Sequence, residues 1–96
     1  MKNQYQESEE ILCVREQTEE TYTYSLITLC SEATVRYGIA IRLEIDGENY
    51  VHTTPDLFSS REGALRFLSF LSQNLITPAN LPDIIEDLLT DFDRIC

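Results

Sequence analysis

His52 is the single histidine and the side chain whose ordinary pKa best suits proton transfer near neutral pH. Acid–base catalysis would lean on it, on a perturbed carboxylate or on a cysteine. Asp56 follows four residues later, across Pro55, and His52 with Asp56 forms the candidate ligand site. No Gly-x-Ser-x-Gly or cysteine-containing catalytic pattern accompanies the two, so no residue is assigned as catalytic and His52 reads first as a structural or surface residue. Three glycines, at 38, 47 and 63, cannot compose a phosphate-cradling loop. A structural zinc site would need Cys13, Cys30, Cys96 and His52 to converge from distant positions without any C-x-x-C. Free cysteines more commonly behave as small buried hydrophobes, so no metal and no cofactor is assigned.

The segment LPDIIEDLLTDFDRIC concentrates acids: Asp83, Glu86, Asp87, Asp91 and Asp93. Acids near a helix N-terminus gain about 0.3–1 kcal/mol from the dipole, which accounts for Asp83 and Glu86. Asp91 and Asp93 sit at the wrong end, and the like charges of Asp83/Asp87 and Asp87/Asp91 at i,i+4 each cost a few tenths of a kcal/mol. Most simply this is a solvated face. Its functional reading is a docking surface for a protein partner built on Glu86, Asp87 and Asp91. An EF-hand would need alternating oxygen ligands around a glycine turn, and the segment has none.

Charge filters the partners. Seventeen acids against seven Lys and Arg leave a net charge of −10, which repels phosphate backbones and anionic membranes. No apolar run approaches the ~20 residues that span a bilayer, and the N-terminal MKNQYQESEE lacks the charged-then-apolar order of a signal peptide. Together with three unpaired cysteines, these features place the chain in the cytoplasm, with neither nucleic acid nor membrane as its partner.

The elements that must position these residues follow from periodicity. Residues 1–8 are polar and expected to fray, leaving 9–96 as a single domain. ILCV (11–14) reads as a short strand running into an exposed loop, REQTEE. TYTYSLITLC (21–30) reads as a second strand with Tyr22, Tyr24, Leu26, Thr28 and Cys30 on one face, and Ile27 and Leu29 on the other. VRYGIAIRLEI (35–45) alternates strictly, the mark of an antiparallel strand buried on one side. Gly38 inside it signals a bulge or the close approach of another element.

Asp46-Gly47 supplies a hairpin turn, after which ENYVHTT returns. A two-residue loop would bury Tyr50, His52 and Thr54, whereas one residue more would bury Val51 and Thr53. The longer loop is expected, since it buries Val51. Pro55-Asp56 should end the strand, and Ser59-x-x-Glu62 reads as a capping box opening a helix over about 60–75. Its apolar residues cover roughly 240° of the wheel, so it must touch the sheet and a second element. Thr77-Pro78 breaks it. A second helix over about 81–94 carries Leu81, Ile84, Ile85, Leu88, Leu89, Phe92 and Ile95 within an arc of roughly 140°, with Leu65 and Phe70 of the first helix as expected partners. The fold class is α+β: an antiparallel meander of three to four strands (about 11–54) with two C-terminal helices (about 60–75 and 81–94) packed on one face.

The succession Tyr37-Gly38-Ile39, Pro55-Asp56, Ser60-Arg61-Glu62 and Pro78-x-x-Leu81-x-Asp83-Ile84-Ile85-Glu86-Asp87-Leu88-Leu89 resembles a family of small bacterial proteins, a domain of unknown function found in Firmicutes. The resemblance covers roughly residues 35–90, with Pro82 departing from its pattern. It implies no activity, cofactor or partner. The chain therefore reads as a small acidic, non-enzymatic module that binds another protein. Its surface would be the acidic side of the second helix or an edge of the sheet. A homodimer could form through an unpaired edge or through a patch of Ile27, Leu29, Gly38 and Ala40. The alternative is a small-molecule or metal-binding domain around His52, which requires a concave polar pocket there.

Overall fold

Alternation dictates the centre of the molecule. In a computed structural model of the chain, which describes residues 6–87, the strictly alternating run is strand β3, Val35–Ile45. It pairs antiparallel with β2, Glu20–Cys30, and with β4, Glu48–Phe58; β1, Gln6–Gln17, completes a four-stranded meander in the order β1-β2-β3-β4. Helix α1, Arg61–Gln73, and helix α2, described over 81–87, pack on one face.

That face holds the core. Tyr22, Tyr24 and Leu26 of β2 and Ile39, Ile41 and Leu43 of β3 meet Ala64, Phe67, Leu68 and Leu71 of α1 and Leu81 of α2. Each large apolar side chain so buried contributes about 1.5–3 kcal/mol, and this term decides which side of β3 turns inward.

Asp46 and Gly47 both adopt positive φ, 52° and 80°, and Ile45 faces Glu48 across a two-residue turn. The longer loop is thus corrected: Tyr50, His52 and Thr54 lie on the helix side, while Val51 and Thr53 face away. Primed-turn geometry matches the twist of the strands, and that preference outweighs burial of one valine. β1 starts at Gln6 rather than at Ile11, so the ladder extends into the segment expected to fray. Backbone pairing with β2 carries the polar residues QESEE without any apolar signal. β4 likewise passes through Pro55-Asp56 to Phe58.

The cap of α1 shifts by one residue. Ser60, not Ser59, accepts from the Gly63 amide at 3.2 Å, while Glu62 pairs forward with Arg66 at 3.1 Å. At the other end the Leu75 amide donates to the Ser72 carbonyl and the Ile76 amide to the Leu71 carbonyl, the Schellman pattern, with Leu75 left-handed at φ 50°. Two side chains from the sheet satisfy nearby carbonyls: Arg15 donates to Ser72 at 2.8 Å and Tyr24 to Ile76 at 3.0 Å. Arg15 supplies a cation to a helix end that has none of its own. Of the expected partners of α2, Leu65 packs against the core, whereas Phe70 is 40% exposed and stacks along Phe67.

Candidate functional site

The second face of the sheet carries no helix among the described residues, and two irregularities shape it. The first is a bulge in β1. Glu10 faces Leu26 and Ile11 faces Ser25, but Cys13 faces Tyr24, so Leu12 is the extra residue. Before the bulge even-numbered residues point to the helices; after it odd-numbered ones do. Ile11 and Val14 therefore both land on the outer face, 59% and 50% exposed. Val51 joins them from the opposite edge, 50% exposed, because of the two-residue turn.

The second irregularity is an arch in β4. Tyr37 faces Phe58 and Ile39 faces Thr54, so Pro55, Asp56 and Leu57 span the place of one residue, opposite Gly38. A Cβ on Gly38 would collide with the Thr54 carbonyl oxygen and the Pro55 backbone, so only glycine admits the arch. Asp56, carried by the arch, accepts from Arg36 Nε at 2.6 Å. Ile27, the cross-strand neighbour of Gly38, is 2% exposed and Ala40 is 6% exposed. Of the apolar patch expected at Ile27, Leu29, Gly38 and Ala40, Leu29 is part-buried and the other three are buried, and the exposed side chains of the face lie around them.

The open part of that face has small residues and one arginine in its middle, and Ile11, Val14 and Val51 at its sides. Thr23 and Ser25 of β2 and Ala40 and Arg42 of β3 form the floor; Ile11 and Val14 flank it on β1, Val51 and Thr53 on β4. Glu7, Glu9 and Glu16 of β1 and Glu44 of β3 share this face by register. Among the described residues none of these four, nor Arg42, belongs to an ion pair.

The sequence-predicted residues fall elsewhere. His52 is half-buried on the helix side, opposite Ile41, whereas Asp56 sits on the outer arch bound to Arg36. The pair is not brought together, because β4 changes its course at Pro55. His52 does border a groove of about 660 Å³ at the hairpin end, floored by Leu43 and Ile45 and walled by Asn49, Tyr50, and the loop at Pro78. Tyr50 donates to Glu48 at 2.8 Å, and that bond, reinforced by the carboxylate charge, raises its phenol pKa above the usual value. The groove is mostly apolar, not the polar pocket a His52 and Asp56 site requires.

Glu86 and Asp87 are exposed on α2; Asp91, the third acid of the expected docking face, lies outside the described residues. Cys13, half-buried, sits 3.3 Å from the Ser72 hydroxyl, and Cys30 faces Gln6 toward the far end of β2; Cys96 lies outside the described residues. Among the described residues no group of three or more His, Cys, Asp or Glu is placed to hold a metal, and no helix is long and apolar enough to cross a membrane.

Ile11, Val14 and Val51 were not selected from the sequence. In ILCV every residue is apolar, so only the bulge decides which ones stay wet; for Val51, the Asp-Gly turn was the signal.

Residues 3–91 match the model of a family described as a family of unknown function, DUF6514, and the chain belongs to it. The match takes in β1 and β2 as well as the later elements over which the resemblance was read. No curated protein and no solved structure matches the chain.

Proposed function

We propose that this domain is a non-enzymatic protein-binding module whose working surface is the open part of the outer sheet face. The supporting observation is the exposure of Ile11, Val14 and Val51, together on one side of a paired ladder, away from the helix-side core. The exposed part of an apolar side chain on a sheet face contributes little to folding and gains about 25 cal/mol per Å2 when a partner covers it. The exposed Glu86 and Asp87 of α2 add to an acidic exterior that favours basic partners over nucleic acids.

The test is capture from a lysate of the source cell at low and high salt, with the wild-type chain and an Ile11→Ser/Val51→Ser variant side by side. A partner held by the wild-type chain and lost by the variant supports the reading. A partner held equally by both removes the outer face from it, and a partner lost only on charge reversal of Glu86 and Asp87 transfers the role to α2.

A second reading, small-molecule binding, draws on the groove beside His52 and Tyr50. Its apolar floor suits an uncharged, flat or short-chain ligand. A thermal-shift screen of such compounds, repeated with Tyr50→Ala, decides it: stabilisation of both proteins by the same compounds would place binding elsewhere.

A further inference from the structure

We infer that the open lane on the outer face accommodates one amphipathic helix of a basic partner protein, an inference that rests on the binding-module reading above. Dimensions come first. The lane is bounded by Ile11 and Val14 on β1 and by Val51 on β4. Three inter-strand spacings of about 4.8 Å separate these edges by roughly 14 Å. A helix with its side chains is about 10–12 Å across, so one helix fits along the strands and two do not. Toward one end Pro55 arches over Gly38; from there to Glu44 the lane runs about 20 Å, the length of roughly 13 helical residues. Between the walls Ser25 and Ala40 are small and buried among their neighbours, and Arg42 is the exposed side chain of the middle.

Charge then selects among occupants. Glu7, Glu9, Glu16 and Glu44 lie toward the ends of the face, and none of them belongs to an ion pair among the described residues, so acids outnumber the single unpaired Arg42 there. A second copy laid face to face would bring two sets of these four carboxylates into one interface, on chains of net charge −10. Like charges so juxtaposed oppose association. Pairing of two β1 edges is opposed in the same way, by Glu7, Glu9, Glu10 and Glu16 on a bulged strand. A helix with an apolar stripe flanked by Lys or Arg meets both features, in the helix-in-groove manner. Arg42, exposed on the floor, adds a requirement for one acceptor within the stripe, an acid or the free carbonyls of the helix C-terminus.

The experiment uses the full chain, labelled with nitrogen-15, titrated with a designed 14-residue peptide bearing a leucine stripe flanked by lysines; the control replaces each lysine with glutamate. Amide shifts for the lysine peptide should concentrate on residues 9–14, 23–25, 40–42 and 51–53. Binding should weaken about tenfold in Glu9→Lys/Glu44→Lys, whose exposed positions leave the core untouched, and weaken again with added salt. Equal binding of both peptides, no binding of either, or shifts centred on α2 or on the groove at His52 would overturn the inference. So would self-association on ultracentrifugation that Val51→Asp abolishes, because the lane would then belong to a second copy. These outcomes leave the binding-module reading standing if the captured partner still requires Ile11 and Val51.

Discussion

The two faces of one sheet are built on the same alternation and end in opposite states. On the helix side Tyr24, Ile39 and Ile41 are fully buried beneath Phe67 and Leu71. On the other side Ile11, Val14 and Val51 remain half or more exposed, although Ser25, Ile27 and Ala40 beside them are buried. Burial of the first set explains why those residues are apolar. It does not explain the second set, and that contrast is what supports the proposed binding face.

Substitutions sharpen the contrast, beginning on the helix side. Phe67→Ala should cost about 3–5 kcal/mol in urea unfolding, since it empties the centre of the core and removes the ring packed 5.6 Å from Phe58. A loss below about 1 kcal/mol would mean that the core lies elsewhere. Gly38→Ala should cost about 1–3 kcal/mol or more, because the added methyl meets backbone of the arch and not a yielding side chain. Amide exchange should then quicken at residues 53–58 first. Unchanged exchange there would contradict the arch.

Tyr24→Phe should cost about 1 kcal/mol, the worth of its bond to the Ile76 carbonyl. It also has a pH signature. Burial, then the neighbouring Tyr22, holds the Tyr24 phenol well above its ordinary value, with Arg15 pulling the other way. A group whose folded pKa is raised contributes stability that is complete below the unfolded pKa, about 10, and is lost as pH rises through the folded one. Wild-type stability should therefore fall more steeply above pH 10 than that of Tyr24→Phe. Tyr22, raised first by its bond to Glu20, adds a loss of the same sign to both proteins. Parallel curves would show that Tyr24 is accessible to water.

Asp56→Asn should cost under about 1 kcal/mol, because its pair with Arg36 is 42% and 58% exposed and solvent screens it. A larger loss would make the ion pair, not Gly38, the main support of the arch.

What was legible in the sequence divides along the same line. β3, the Asp-Gly turn, the order of elements and the helix-side faces of β2 and β3 could be read because alternation and turn chemistry are local. Gly38 announced a close approach for the same reason. The bulge at Leu12 could not be read, since ILCV is apolar throughout and no local residue marks where the extra one falls. Neither could the start of β1 at Gln6, where pairing with β2 holds a polar segment that has no apolar period. Expecting Val51 to be buried assumed that an apolar residue is assigned by the core. The turn assigned it instead, and that misreading concealed one wall of the proposed site. His52 and Asp56 looked close in sequence, but β4 shifts register between them and sends Asp56 to the opposite face.

The most direct measurement is the urea midpoint of Ile11→Ser/Val51→Ser against the wild-type chain, without any partner. If these side chains serve binding and not folding, the two proteins should differ by no more than about 0.5 kcal/mol per substitution. A loss above about 3 kcal/mol for the pair would contradict the account, because the outer face would then be part of the folding core and no longer a surface awaiting a partner.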